Sequence, residues 1–507
     1  MTSTNSVWFD KTLESGASRL DRDESCDVCV VGAGIAGLTT AYRLACEGKS
    51  VIVLEGLPKI ASGETAFTTA HLASVLDDRF SNLKKIHGLG VVETAHRSHA
   101  AAIDFIEATT RTERIDCDFA RTHGVLFPAT KADLSIIDEE ENVVREAGIS
   151  VERIESLHLG RTSISPCLRF PHQGQFHPLK YLMGLAAAIA SRGGRIFTDA
   201  RVQSVEGGSN PSVTTETGRT VRAKAVVIAT NAPLNGGVRT NLRIAAYTTY
   251  AIAGRLPASE APEGLYWDTQ DPYHYVRTQP AGEGQVWLIV GGEDHKTGQA
   301  NDQTERWVRL EQWSRERFPA LGSNILRWDG QIFETLDGLA LIGPEPGGAK
   351  GIFIATGDSG MGMTHGTIAG LLLPSLIAGE AHAWEELYTP SRLPVNSLGT
   401  LVSEGANVAG RAIADYLNPG DVSSAEAIAP GCGAVVRSGL QKLAVYRNVE
   451  GSICELSAVC THLGGIVTWN SADKTWDCPL HGSRFAPKGE VLHGPATEPL
   501  ATTAKLM

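Results

Sequence analysis

The chain has 507 residues, 45 Lys and Arg against 57 Asp and Glu, a formal net charge of −12 and nine Cys. That length suffices for two or three domains with their own cores, and the acidic balance argues against nucleic acid or an anionic membrane as the main partner. No apolar run approaches the roughly 20 residues of a spanning helix, the N-terminus is polar rather than signal-like, and the sparse Cys suit a reducing compartment, so a cytoplasmic protein with no membrane span is expected.

Residues 1–25 read as an N-terminal extension. Next comes Val28-Cys29-Val30-Val31, then Gly32-Ala33-Gly34-Ile35-Ala36-Gly37, a helical pattern through Leu44, and Val51 to Leu54 closed by Glu55. This order of strand, glycine turn, helix, strand and acid is a dinucleotide fingerprint. Gly32 allows the tight turn, Gly34 lets a pyrophosphate approach the helix N-terminus through Ile35 and Ala36, Gly37 lets helix and strand pack, and Glu55 accepts ribose hydroxyls. The fingerprint alone leaves FAD and NAD both open. Cys26 and Cys29 have redox-motif spacing, but residues three apart on a strand face opposite sides, so they read as core thiols.

Further along, Gly63-Glu64-Thr65-Ala66-Phe67-Thr68-Thr69-Ala70-His71 is followed by helical periodicity over 95–110 and 133–147. Ala200-Arg201-Val202 and the apolar run Ala223 to Thr230-Asn231 come next. Strand-like runs at Ala246 to Gly254 and Gln285 to Val290 precede a charged helix from Gln303 to Phe318. Asp337 to Gly343 and Gly351 to Gly357-Asp358-Ser359-Gly360-Met361-Gly362-Met363-Thr364 complete the series. Taken in this order, the glycine-rich and apolar segments resemble the D-amino-acid oxidase and sarcosine oxidase family. The resemblance implies FAD. It places Thr65, Thr69, Ala70 and His71 along the flavin, Val202 by the adenine, and Thr230 and Asn231 near the cofactor. Gly357, Ser359, Gly360, Met361, Gly362, Met363 and Thr364 then form a helix start whose N–H groups face flavin N1 and O2. The implied architecture over 26–390 is a Rossmann-like FAD-binding domain from pieces at about 26–75, 166–235 and 326–390, interleaved with an α+β substrate roof from about 76–165 and 236–325.

Substrate residues follow from the same resemblance. Tyr273-His274-Tyr275-Val276-Arg277 and Gly291 to His295-Lys296 match strands that face the flavin. Arg277 is a candidate partner for a substrate carboxylate, with a structural ion pair as the equal alternative. Tyr275 or Tyr250 would add a hydroxyl, and His295 is either a substrate contact or a structural His. Ile289 aligns where sarcosine oxidase-like members carry a Lys that promotes reaction with oxygen, which implies that oxygen is a poor acceptor. Phe67 aligns where dimethylglycine dehydrogenase-like members tether FAD through a His, which implies non-covalent FAD with His71 as a flavin-side contact.

Residues 391–424 read as a linker, with Pro390 and Pro394, a helix from Glu404 to Leu417 and a turn at Asn418 to Gly420. Beyond it stands Cys460-Thr461-His462-Leu463-Gly464, and with fifteen residues between His462 and Cys478 comes Cys478-Pro479-Leu480-His481-Gly482-Ser483. Two Cys-His pairs suit a Rieske [2Fe-2S] cluster, in which one iron takes two thiolates and the other two imidazoles. The same four ligands, Cys460, His462, Cys478 and His481, would also suit tetrahedral zinc. Residues 425–507 resemble Rieske domains, a small β-sandwich-like fold, so the whole chain is α/β plus all-β. Respiratory Rieske proteins carry a disulfide where this chain has Gly465 and Leu480, and a Tyr where it has Phe485; Ser483 matches. Fewer hydrogen bonds to sulfur imply a potential below the top of the range of roughly −150 to +300 mV. Ala501 to Met507 is expected to complete a closing strand.

The whole chain is similar to bacterial FAD-dependent oxidoreductases fused to a C-terminal Rieske domain. What this implies is a dehydrogenase, rather than an oxidase, acting on a C–N bond of an amine or amino acid by hydride transfer to FAD. Electrons would pass singly to the cluster and on to an unidentified external one-electron acceptor. Two alternatives stay open. One is an electron-transfer component reduced by NAD(P)H, against which stands the single dinucleotide fingerprint; the other is a redox-sensing or scaffold protein.

Overall fold

Val28–Val31 and Val51–Leu54 are buried at all four positions, as strands covered on both faces must be. In a computed structural model, which describes residues 5–9, 16–234, 240, 243–347, 350–392, 410 and 414–502, they lie near the centre of a seven-stranded sheet. Its order is Ser18–Arg19, Arg195–Thr198, Val51–Leu54, Val28–Val31, Ala225–Asn231, Ile352–Thr356 and Leu341–Pro344. All neighbours are parallel except the last pair. Alternation along the strands splits the core. Val28, Val30, Val51 and Val53 pack with Leu38 of helix Ile35–Cys46 and Ile368 of helix Gly362–Ala378, whereas Cys29, Val31, Ile52 and Leu54 pack with Val202, Val213 and Val221 of a four-stranded sheet. Cys29 is a core thiol, as its strand position requires, and all nine cysteines are free.

The roof is a nine-stranded sheet. It runs Ile325–Thr335, Ile244–Pro257, Gln285–Lys296, His274–Gly282, Leu265–Asp268, Ala120–Phe127, Cys167–Gln175 and His71–Leu72, with Glu152–Ile154 paired to Cys167–Gln175. The periodic segments fold into helices Leu89–Thr112, Leu134–Glu146 and Gln303–Arg317. Sheet membership corrects the boundaries read from sequence. His71–Leu72, Cys167–Gln175 and Ile325–Thr335 pair within the roof, although they fall inside the pieces 26–75, 166–235 and 326–390 assigned to the FAD-binding domain. Residues 1–25 are likewise more than an extension. Trp8 is fully buried and donates its indole N–H to Thr68 O at 2.6 Å, while Ser18–Arg19 and Glu24–Ser25 join the two sheets of the Rossmann-like domain.

The C-terminal module has two small sheets around Val435, Ala444, Leu456, Val467, Trp476 and Phe485. Thr502 bridges Leu456 and Ser457 N–H donates to Ala501 O at 2.7 Å, which closes the module; residues 503–507 of the expected strand lie outside the described residues. Most of the helix expected over Glu404 to Leu417 also lies outside them.

This module is seated on the rest of the chain through a buried charge. Arg484 meets Asp329 of the roof at 3.2 Å, and Asp473 and Asp477 of its own module at 2.8 and 3.2 Å, with every side chain under a tenth exposed. Removing one partner from a buried ion cluster strands the others. Arg484→Leu is therefore expected to cost about 3–5 kcal/mol, read as a lower midpoint for thermal loss of the module's visible absorbance; an unchanged midpoint would show that the seat is held elsewhere.

Candidate functional site

One continuous cavity runs between the Rossmann-like sheet and the roof. At one end lie Gly32, Gly34, Ile35 and Ala36, with Glu55, Arg201 and Val202 beside them. Gly32 adopts φ +102°, and a Cβ there would fall 2.4 Å from Ala229 O; one on Gly37 would fall 1.9 Å from Gly32 O. Both positions thus require glycine, one for the turn and one for helix-to-strand contact. Gly34 caps helix Ile35–Cys46 without a side-chain hydrogen bond of its own; Ile35 N–H donates to Thr65 Oγ1 at 3.2 Å, and the helix start borders the cavity through Gly34, Ile35 and Ala36. Glu55 accepts from Ala33 N and Leu57 N, each at 2.9 Å, which fixes the acid at the end of its strand.

The middle of the cavity is lined by Thr65, Phe67, Thr69, His71, Thr230 and Asn231, and by Gly360, Met361, Gly362 and Met363 at another helix start. His71 lies between Thr69 Oγ1 at 3.1 Å and Val276 O at 3.3 Å, edge-on to Tyr275. Burial, then the Arg277 charge, pushes its pKa down to about 3, so the imidazole is neutral. Five residues read as cofactor contacts stand behind the lining: Gly37, Ala70, Gly357, Ser359 and Thr364. Ser359 Oγ accepts from Thr335 N at 3.0 Å, and Thr364 Oγ1 meets His99 Nδ1 at 2.7 Å.

The roof-side wall holds Tyr275, whose hydroxyl meets Thr249 Oγ1 at 2.9 Å, together with Trp267, Ala251, Tyr273 and Asp77. Tyr273 donates to Asp77 Oδ2 at 2.8 Å. Burial, with Asp78, Asp294 and Asp358 nearby, pushes the Asp77 carboxyl up to about 7. Nothing in the local spacing of Asp77 and Trp267 marks them, and Tyr273 stands out in the sequence only as part of a flavin-facing strand; the fold brings the three to one wall.

Arg277, Tyr250 and His295 are not at this wall. Arg277 is fully buried beneath it, donates to Ala70 O at 2.7 Å, Phe176 O at 3.2 Å and Gln279, and lies 5.3 Å from the centre of the Trp8 ring. With its donors spent on backbone carbonyls and the Gln279 side chain it holds the 69–71 loop and does not line the cavity. Tyr250 is fully buried against Trp307 and stacks on His295 at 5.7 Å, on the side of the roof facing Asp477 and Arg484. Both belong to the seat of the C-terminal module. Ile289 is also wholly buried, in the core away from the cavity lining.

That module supplies the last part of the cavity wall: Leu492, His493, Gly494, Ala496 and Thr497. His493 Nδ1 lies 3.1 Å from Glu64 Oε1. Behind this wall, loops 460–465 and 478–483 set their ligands in two pairs, thiol with thiol and imidazole with imidazole. Cys460 and Cys478 are in hydrogen-bonding reach of each other, and the rings of His462 and His481 stand 5.2 Å apart. His481 Nδ1 is buried without a partner, as a ring nitrogen reserved for iron would be. A Cβ on Gly465 would sit 2.7 Å from Leu480 Cγ, so leucine fills the space of the respiratory disulfide. Ser483 hydrogen-bonds Cys460 and accepts from Ala496 N at 3.0 Å, while Phe485 is fully buried.

A Rossmann-like sheet under a mixed roof, with this cavity and these loops, defines a flavin oxidoreductase carrying an iron–sulfur module. Residues 27–376 match the family FAD dependent oxidoreductase, and the chain belongs to that family; residues 419–504 match the Rieske [2Fe-2S] domain. A Bacillus subtilis protein named as a Rieske 2Fe-2S iron-sulfur protein, YhfW, is 32% identical over 495 residues, 97% of this chain and 96% of that one. The γ-glutamylputrescine oxidoreductase of Escherichia coli is 27% identical over 380 residues, 72% of this chain and 87% of that one. Among solved structures, glycine oxidase from Geobacillus kaustophilus shares the fold, with a TM-score of 0.60 at 20% identity over 73% of this chain and 99% of that one. The cofactors are FAD and a Rieske cluster, and no described helix is long and apolar enough to cross a membrane.

At Gly34 a Cβ would stand 3.1 Å from Thr65 Oγ1, tolerable to the fold but inside the space above the helix start. Gly34→Ala is expected to weaken flavin binding about tenfold or more, the equivalent of one hydrogen bond to a charged group. Titration of the flavin-stripped protein with FAD checks this, and iron content should stay at the wild-type level.

Proposed function

We propose that the protein oxidises a C–N bond of an amine or amino acid, with FAD, held without a covalent link, supplying hydride acceptance and the Rieske cluster supplying one-electron transfer to an external acceptor. The observation that carries this reading is the shared wall: residues 492–497 of the Rieske module line the same cavity as the FAD fingerprint. A cluster serving only as a fold staple would have no need to border that cavity.

The roof-side residues favour an amine over a substrate recognised by its carboxylate. Among the described residues, the one guanidinium at the cavity is Arg201, at the fingerprint end. The wall instead offers the Tyr273–Asp77 pair, the Tyr275 hydroxyl and the Trp267 ring. Asp77 is poised near neutrality, which suits a group that holds the proton an alkylammonium must lose before its C–H can leave as hydride. Arg277 keeps the 69–71 loop in place, and neutral His71 leaves no second cation beside a positively charged substrate. The E. coli relative is named for γ-glutamylputrescine.

Anaerobic visible spectroscopy during titration with amines, amino acids and NAD(P)H tests this directly. Flavin bleaching by an amine, then cluster bleaching, is the expected result. The flavin step should accelerate as pH rises through about 7, where Asp77 passes from neutral acid to carboxylate base. Reduction by NAD(P)H alone would overturn the proposal in favour of an electron-transfer component.

A further inference from the structure

Gln331 stands where the two cofactor regions meet. It lies in strand Ile325–Thr335, is 2% exposed and lines the flavin cavity. Three hydrogen bonds fix it. Its backbone N–H donates to Glu64 Oε2 at 2.6 Å, its carbonyl accepts from Asn231 Nδ2 at 3.3 Å, and its side-chain Nε2 donates to Gly482 O at 2.7 Å. Glu64 and Asn231 also line the cavity, whereas Gly482 directly follows the cluster ligand His481. A Cβ on Gly482 would fall 2.5 Å from Gln331 Nε2 and 2.3 Å from Ala246 Cβ, so the approach needs this glycine. Within the loop, Gly482 N–H donates to Cys478 O at 3.0 Å and Cys478 N–H to Ser483 O at 2.8 Å. The Gln331 amide thus anchors the one turn that carries both Cys478 and His481.

We propose that Gln331 is a positioning residue that couples the flavin cavity to the iron–sulfur cluster, by clamping the 478–483 loop against the cavity wall through Gly482. The proposal rests on the functional reading above. Electron transfer weakens steeply with separation and prefers bonded and hydrogen-bonded routes to open gaps. From the cavity wall to His481 this route crosses one hydrogen bond and otherwise runs through the Gln331 side chain and the Gly482 peptide. Polar partners just outside a metal's ligands also orient those ligands. In the overall balance the amine C–H and N–H bonds give up two electrons and two protons as the C=N bond forms. The electrons would cross this contact singly, the cluster supplying a one-electron acceptor that takes them one at a time. A one-electron oxidant, ferricyanide in an assay, restores the ferric form between transfers, and the protons pass to solvent.

The test uses the full-length protein loaded with both cofactors and needs no knowledge of the amine, because light with EDTA as sacrificial donor reduces bound flavin. Gln331→Met keeps the side-chain length but has no donor; Gln331→Glu keeps a polar end of the same size that, as a carboxylate, cannot donate to Gly482 O. In both variants cluster bleaching should lag flavin bleaching by about tenfold more than in the wild type, the low end of what loss of such a partner costs. Amide exchange at Gly482 and Ser483 should rise, and the lag should persist when rates are normalised to iron content. The Glu variant decides the matter if Met empties the cluster site. Unchanged lag and exchange in loaded variants would overturn the role of Gln331 while leaving the functional reading intact. Absence of cluster bleaching in the wild type would overturn both.

Discussion

A single buried guanidinium determines how the two halves of this protein meet. Arg484 carries its charge out of water, which is unfavourable unless carboxylates surround it, and Asp329, Asp473 and Asp477 do so from both sides of the interface. The contact is specific in position as well as sign: a guanidinium fork satisfies several carboxylates only in a fixed orientation. Gln299 Nε2 to Pro479 O at 3.0 Å and Thr468 Oγ1 to Gly298 O at 3.1 Å extend the same seat. The Rieske module is thereby set against the roof, with residues 492–497 turned into the cavity.

This seating gives the cofactor chemistries a shared boundary. The Rossmann-like sheet directs two helix starts at the cavity, which suit the negative charge of a pyrophosphate and of a reduced flavin. The roof contributes an aromatic wall whose Tyr273 donates to Asp77, a carboxyl that burial pushes up to about 7. The Rieske module closes the remaining side and keeps its ligands just behind it. The roof strand Ile325–Thr335 serves both ends of the arrangement, since Asp329 meets Arg484 and Gln331 meets Gly482.

The sequence made legible whatever was local. The turn from Val31 to Gly37, the acid at Glu55 and the two Cys-His pairs depend on neighbours within a few positions, so spacing alone revealed them. Arg277 stays open in the sequence between a substrate and a structural role for the opposite reason. Its carbonyl partners at Thr69, Ala70 and Phe176 lie about 100 to 210 positions away in the chain, and a strand pattern does not tell whether an Arg faces a ligand or a buried loop. Tyr250, as the alternative to Tyr275, and His295, as either a substrate contact or a structural His, are candidates because their strands are substrate-side; the face they occupy belongs to the interdomain seat. Trp8 escaped notice because its environment is assembled from Thr68 and Arg277. Domain boundaries slipped where strands at 71–72, 167–175 and 325–335 cross into the roof sheet, a matter of long-range pairing that local periodicity does not carry.

The central claim is that flavin and cluster exchange electrons inside one chain. The most direct measurement is the rate of cluster bleaching after rapid flavin reduction, followed over a wide range of protein concentrations. A rate independent of concentration is what a docked Rieske module predicts; a rate that rises in proportion to concentration would place the transfer between molecules and contradict the account.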